Sequence, residues 1–128
     1  MKISIRALLI MLFSLLAVPQ PASAHVGSKD VFEQVDAGPY KLFVTIRMPT
    51  VIPGVATVEV RSTGAPISGI HITPLPLTGE ASKHPPTADP MTASTADPAF
   101  FTGSIWLMAS GSWQVRFEVT GSAGAQTT

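Results

Sequence analysis

The sequence predicts an all-β domain, an antiparallel β-sandwich that follows an N-terminal signal peptide. Apolar and polar residues alternate with a period of two in several short segments, as in strands that bury one face. Glycine- and proline-containing turns separate these segments, and the 128 residues include 10 glycines and 12 prolines. After residue 24, no segment sustains the period of 3.6 residues that is typical of an amphipathic helix.

Residues 1–24 have the features of a secretory signal peptide. A basic start, residues 1–6, precedes an apolar stretch of twelve residues, Ala7–Val18. Two prolines then break any helix ahead of a site of small residues, and cleavage after Ala24 would leave His25 as the first residue. The stretch is shorter than the roughly 20 residues of a spanning helix, although an uncleaved anchor stays a second interpretation. We therefore predict export, to the periplasm or the extracytoplasmic face of a bacterial membrane.

Six segments of the mature chain have strand character. In the clearest of them, apolar side chains occupy alternate positions: Tyr40, Leu42, Val44 and Ile46. The predicted strands cover residues 31–35, 40–47, 56–61, 68–75, 100–107 and 113–120. Short strands between glycine and proline turns favour an immunoglobulin-like topology, which usually has seven strands. The missing strand is expected either within the loop near residues 91–95 or in a longer chain beyond Thr128, where membrane helices could follow.

Two segments lack the alternation. Pro74–Pro98 contains half of the prolines, so we expect a mobile or loosely docked loop there. Residues 121–128 have no large side chain and are predicted to be a flexible, frayed tail. The predicted organisation is therefore a signal peptide at 1–24, a sandwich domain at 25–120 and a tail at 121–128.

Composition excludes several classes of function. Two of the eight basic residues leave with the signal peptide, so six basic residues face eight acidic ones and the net charge is −2. No basic stripe remains for nucleic acid. The chain has no cysteine, which removes disulfides, thiolate metal sites and a cysteine nucleophile. No nucleophile elbow, zinc-protease motif, P-loop or dinucleotide fingerprint is present, and we predict that the protein is not an enzyme.

Four segments carry a resemblance to known proteins: His25–Phe32, Gly38–Tyr40, Val44–Gly54 and Trp106–Trp113. They resemble the bacterial exported domains of the YtkA-like and CopC-like groups. The resemblance implies an immunoglobulin-like envelope domain, often found beside membrane helices. It also implies, for some relatives, copper handling or the assembly of copper-containing oxidases. In the CopC-like branch, copper(II) is bound by a mature N-terminal histidine, further histidines and a carboxylate, and His25 alone matches by position.

Three histidines are the candidate metal ligands. The free amine and the ring of His25 can chelate one ion, and a tetragonal set of nitrogen and oxygen ligands suits copper(II). His71 on a predicted strand and His84 in the proline-rich loop are the candidates for further ligands. The simpler interpretation is that a cleavage site tolerates many residues and that the other two histidines are exposed. Two tryptophans, Trp106 and Trp113, are predicted to be core anchors.

Two functions are consistent with these features. The residues favour an exported, non-catalytic module that docks another envelope protein through an open sheet edge or through the proline-rich loop. The alternative is a periplasmic domain that binds or delivers copper(II) through His25.

Overall fold

Nine strands form two antiparallel sheets in the computed structural model, which describes residues 29–128. The strands are β1 (Val31–Ala37), β2 (Tyr40–Arg47), β3 (Gly54–Gly64), β4 (Ile67–Pro76), β5 (Asp89–Pro90), β6 (Thr92–Ala93), β7 (Phe100–Leu107), β8 (Trp113–Gly121) and β9 (Gly124–Thr127). A 3-10 helix, Glu80–Lys83, lies in the loop after β4. The signal peptide and His25 lie outside the described residues. Within residues 29–128, no helix has the length and apolar character needed to cross a membrane.

The order of the strands is immunoglobulin-like. The first sheet has the order β1-β2-β3-β7-β6, and the second has the order β5-β4-β8-β9. Counted from β2, these are the A-B-E-D and C′-C-F-G arrangements of an immunoglobulin sandwich. The predicted all-β sandwich is therefore confirmed, and β1 is an additional strand at the edge of the first sheet.

Alternation along the strands builds the core between the two sheets. Every second residue of β2, β3, β7 and β8 points inward, and most of these side chains are buried. The largest fully buried side chains are Tyr40, Leu42, Val58, Val60, Ile70, Ile72, Phe101, Ile105 and Val119. Fully burying an aliphatic or aromatic side chain of this size contributes about 1.5–3 kcal/mol relative to leaving it exposed. The polar residues of the same strands face solvent.

The proline-rich loop contributes two short strands. The chain leaves the second sheet at β5 and enters the first at β6, and Met91 lies between them with its side chain buried. The N–H of Met91 donates to the carbonyl oxygen of Ile70 at 2.8 Å. The position of β6 agrees with the short strand expected near residues 91–95. Because the chain crosses here, β6 becomes the edge strand of the first sheet, next to β7.

The predicted tail is ordered as a strand, which corrects the expectation for residues 121–128. β9 pairs antiparallel with β8, from Glu118 opposite Thr127 to Gly121 opposite Gly124. The hydroxyl of Tyr40 donates to the carbonyl oxygen of Gly124 at 2.7 Å and accepts from the N–H of Ala123 at 2.9 Å. Backbone bonds and one buried hydroxyl therefore hold this strand, so it needs no large side chain of its own.

Candidate functional site

The candidate metal ligands fall in separate places. His71 lies on β4, exposed on the outer face of the second sheet, opposite Pro90 on one side and Glu118 on the other. His84 follows the 3-10 helix, is exposed, and its N–H donates to the carbonyl oxygen of Ala81 at 3.2 Å. Among residues 29–128, no group of three or more His, Cys, Asp or Glu side chains could hold a metal ion. Copper(II) binding through His25 stays a prediction.

One end of the sandwich collects several strand ends. Val31 of β1 lies opposite Ile46, Gly54 of β3 lies opposite Leu107, and Pro76 of β4 lies opposite Trp113. The β2–β3 loop, the β7–β8 loop and the chain after β4 therefore meet at this end, because each joins strands that start or finish there. They bring together residues that are far apart in the sequence.

This end exposes most of the large apolar side chains found on the surface of the described residues. Eight such side chains are exposed in residues 29–128. Six of them lie at this end: Val31, Val51, Val55, Leu77, Trp106 and Met108. Val51 is 69% exposed, Trp106 and Met108 are 62% exposed, and Leu77 is 55% exposed. We call this surface the apolar end. Exposed apolar side chains that gather at one end of a domain are candidates for an interaction site.

Three segments at the apolar end contain no charged residue, whereas Asp30 and Arg47, beside Val31, are charged and form an ion pair with each other. Residues 48–58, 72–79 and 98–115 contain no Asp, Glu, Lys or Arg. The desolvation that accompanies contact at these loops therefore involves no ionised side chain of the loops themselves. The opposite end differs, because Asp36 and Asp97 lie in or beside its turns and, within residues 29–128, no large apolar side chain is exposed there.

An apolar cleft opens beside the apolar end, between the edges of the two sheets. Its volume is about 330 Å³, and its lining includes Val31 and Val35 of β1, Ile46 of β2, and Trp113 and Val115 of β8. Among the described residues of the lining, Glu33 is the one that is ionisable. Both β1 and β8 are near the sheet margins on this side, and the core between them is left partly uncovered. We call this cavity the β1–β8 cleft.

The edge of β8 along this cleft has no neighbouring strand within the described residues. Phe117 exchanges two backbone hydrogen bonds with Thr128, and the pairing of β8 with β9 continues from Glu118 to Gly121. In an antiparallel ladder, alternate residues direct their N–H and C=O groups to the same side. Trp113 and Val115 therefore present these groups at the same edge as Phe117, beyond the end of β9.

A second cavity, of about 260 Å³, lies on the other side of the apolar end. Its lining includes Pro76 of β4, His84 and Pro86 of the loop, and Trp106 and Met108 at the end of β7. His71 is not part of this lining, so the structure does not bring His71 and His84 into one cavity. Proline and tryptophan side chains make the cavity mainly apolar.

The prediction that Trp106 is a core residue was wrong. Trp106 lies on the outer face of β7, with Phe100, Thr102 and Ser104, whereas Ile105 and Leu107 point inward. The alternation itself carried the correct signal, because residues of even number along this strand point away from the core. Trp113 is half-buried, and its indole Nε1 donates to the carbonyl oxygen of Ala109 at 3.0 Å.

Comparisons with protein-family models, with curated proteins and with solved structures find no match to this chain. The similarity to YtkA-like and CopC-like domains therefore stays a prediction from the sequence.

Proposed function

We propose that this protein is an exported, non-catalytic module that docks another envelope protein through the apolar end. The observation that supports this most strongly is that six exposed apolar side chains gather at one end of the sandwich, five of them in segments without charged residues. The centres of protein interfaces are depleted in charged residues and rich in aromatic side chains and methionine. Trp106 and Met108 match that composition.

The energetics favour a few anchoring contacts. Burying a large apolar side chain against a partner contributes about 1.5–3 kcal/mol before the cost of association is subtracted. Tryptophan is over-represented among the residues that dominate binding energy. We therefore assign the main anchoring role to Trp106, with Val51, Leu77 and Met108 around it. The partner surface is expected to be apolar and free of unpaired charge where it covers these residues.

Export is the other half of the proposal, and it rests on the signal-peptide features of residues 1–24. A domain without cysteine gains nothing from an oxidising compartment and must rely on its core and turns. The two sheets, with about fifteen buried apolar side chains, supply such a core.

In-cell photo-crosslinking tests the docking surface. A photoreactive amino acid placed at Leu77 is expected to crosslink to one defined protein, whereas the same group at Thr63, near the opposite end, is not. The crosslinked protein is then purified, and its affinity for the full chain is measured directly. Trp106→Ala is expected to weaken that affinity by about tenfold or more.

Exposed residues away from the apolar end provide the control. Thr63→Ala removes a small exposed side chain at the opposite end and is expected to leave the affinity unchanged. Equal crosslinking from Leu77 and Thr63, or an affinity that Trp106→Ala does not alter, would refute docking through the apolar end.

A further inference from the structure

The second cavity, of about 260 Å³, combines one carboxylate with tryptophan and proline side chains. We call it the Trp106 cavity. We infer that it accepts an arginine side chain of the partner polypeptide, which stacks on the indole of Trp106 and pairs with the carboxylate of Asp89. The inference rests on the proposed function, because it requires a polypeptide that docks at the apolar end. It adds the chemistry of one anchoring residue of that partner.

The two sheets bring this carboxylate and this ring together. Asp89 belongs to β5 and lies opposite Ile72 of β4, whereas Trp106 belongs to β7 and lies opposite Val55 of β3. Both residues line the same cavity. The lining residues that the structure describes all lie between positions 74 and 113. Backbone pairing within each sheet therefore holds the two residues at the cavity, although they come from different sheets.

Aromatic rings give the cavity a surface that attracts cations. Trp106 is 62% exposed, so one side of its ring is open to a ligand. Trp113 also lines the cavity, and its Nε1 donates to the carbonyl oxygen of Ala109 at 3.0 Å, which holds this ring in place. A cation is attracted to the face of tryptophan more strongly than to that of tyrosine or phenylalanine. The rings therefore favour a positively charged group over a neutral one.

The charge of the lining also favours a cation. Asp89 and His84 are the ionisable residues among the described lining. The carboxylate of Asp89 forms no ion pair with other described residues. On the neighbouring 3-10 helix, Glu80 and Lys83 pair with each other at 2.8 Å and cancel in charge. A carboxylate that loses water on docking needs a partner of opposite charge, and a cation supplies both the charge and the hydrogen-bond donors.

Arginine fits this lining better than other charged groups. Pro74, Pro76 and Pro86 line the cavity and have no N–H, the group with which backbone commonly binds anions. A planar guanidinium stacks on an aromatic face and donates two parallel hydrogen bonds to a carboxylate, whereas a lysine ammonium is more strongly hydrated. Because Asp89 pairs with it, this arginine is compatible with a partner surface that carries no unpaired charge.

Capped tripeptides, added to the full chain, test the ligand chemistry. One peptide has arginine between two alanines, and its matched control has citrulline, which keeps the shape of arginine without the charge. NMR titration of the indole N–H of Trp106 measures binding. The arginine peptide is expected to bind about fivefold or more tightly than the citrulline peptide, with a lysine peptide between them. Equal affinity for arginine and citrulline, or a preference for a glutamate peptide through a positively charged His84, would overturn the inference.

Asp89→Asn removes the charge and keeps the size of the side chain. Its affinity for the arginine peptide is expected to fall about fivefold, toward that of the citrulline peptide. Glu118→Gln removes an exposed carboxylate on the outer face of β8 and is the matched control, with no change expected. Asp89→Lys is expected to reverse the preference between arginine and glutamate peptides. Equal losses for Asp89→Asn and Glu118→Gln would indicate general electrostatic attraction and would contradict a site at Asp89.

The crosslinked partner separates this inference from docking itself. Asp89→Asn is expected to weaken the affinity for that partner about fivefold, and Glu118→Gln is not. If Asp89→Asn binds the partner normally while Trp106→Ala does not, the arginine contact is wrong and docking through the apolar end stands. If the arginine peptide shows the expected preference but no protein crosslinks from Leu77, the arginine site stands and docking through the apolar end fails.

Discussion

Phe117 and Thr128 exchange both of their backbone hydrogen bonds, at N···O distances of 2.9 and 3.0 Å. This pair fixes which residues of β8 face β9 and which face β4, because the pattern repeats every two residues. The same contact therefore accounts for the order of the C-terminal strand.

Tyr40→Phe is expected to destabilise the domain by about 1–3 kcal/mol. The hydroxyl of Tyr40 is buried, donates to Gly124 and accepts from Ala123, so its removal leaves the N–H of Ala123 without this partner and takes one hydrogen bond from the carbonyl oxygen of Gly124. Urea unfolding measures the loss, and hydrogen exchange should show faster exchange of the β9 amides. Phe43→Leu, on the exposed face of the same strand, is the control and is expected to stay within about 0.5 kcal/mol of the natural chain. Equal stability of Tyr40→Phe and the natural chain would contradict the role assigned to the hydroxyl.

Gly121→Ala is expected to destabilise the domain by about 1–3 kcal/mol or more. A Cβ atom at Gly121 would collide with the carbonyl oxygen of Pro66 and lie 3.0 Å from the Cα of Ile67. The backbones approach closely here because Ser122 N–H donates to that same oxygen of Pro66.

Gly69→Ala is the matched control in the same sheet, since nothing lies within 4 Å of a Cβ atom at Gly69. It is expected to be neutral or to stabilise the domain by about 0.5 kcal/mol through the lower entropy of the unfolded chain. Thermal unfolding of both variants makes the comparison. A similar loss of stability in the two variants would show that the close contact with Pro66 is unimportant.

Asp97 makes stability depend on acidity. Arg61 donates to its carboxylate at 2.6 Å and the N–H of Ala99 donates at 3.0 Å, and these bonds lower the pKa of Asp97 from its ordinary value of 3.8. Because the folded state holds the proton less tightly than the unfolded state, this contribution is present above pH 3.8 and is lost as the pH falls through the lower folded value.

Asp97→Asn is therefore expected to lower the unfolding temperature at pH 7 and to have a much smaller effect near pH 2. Thermal scans across this range measure the difference from the natural chain. Asp89→Asn serves as the control, since Asp89 forms no ion pair with other described residues. A difference for Asp97→Asn that is the same at both pH values would contradict the assignment.

Protein recovered from the producing cell is expected to begin at His25. Mass analysis of the intact chain tests the cleavage site after Ala24, and retention of residues 1–24 would support an uncleaved anchor instead.

The same sample tests the alternative function, copper(II) binding through His25. If the free amine and ring of His25 chelate copper(II), added copper(II) should produce visible absorbance that disappears when one extra residue precedes His25. Absence of any such absorbance would exclude this mode of binding.

Local patterns predicted the strands well where each strand buries one face. The alternation from Tyr40 to Ile46 and from Trp113 to Val119 is enough to place β2 and β8 and to name their core residues, because a strand exposes its two faces with a period of two. The same rule placed His71 on the outer face of its strand. At Trp106 the same rule gives the outer face, but the prediction followed the residue type and placed the tryptophan in the core.

Strands that have no large apolar side chain, and that depend on backbone hydrogen bonds alone, were harder to predict. β9 has only small and polar side chains, and its pairing depends on the edge of β8 and on the hydroxyl of Tyr40, 84 positions away from Gly124. No local pattern reports such a contact, since the partners come together only when the sandwich closes. The short strand β5 is similar, because it depends on the register of Asp89 and Pro90 against β4.

The sequence by itself determined an all-β domain, its principal strands and most of its core, because these follow from local alternation and turn residues. The tertiary structure decided the candidate site. Val51, Leu77 and Met108 lie on three separate loops, and their common exposure at one end follows from where the strands finish. The β1–β8 cleft likewise needs two sheets whose edges leave part of the core uncovered. Surfaces of this kind arise from the packing of distant segments, which no local pattern records.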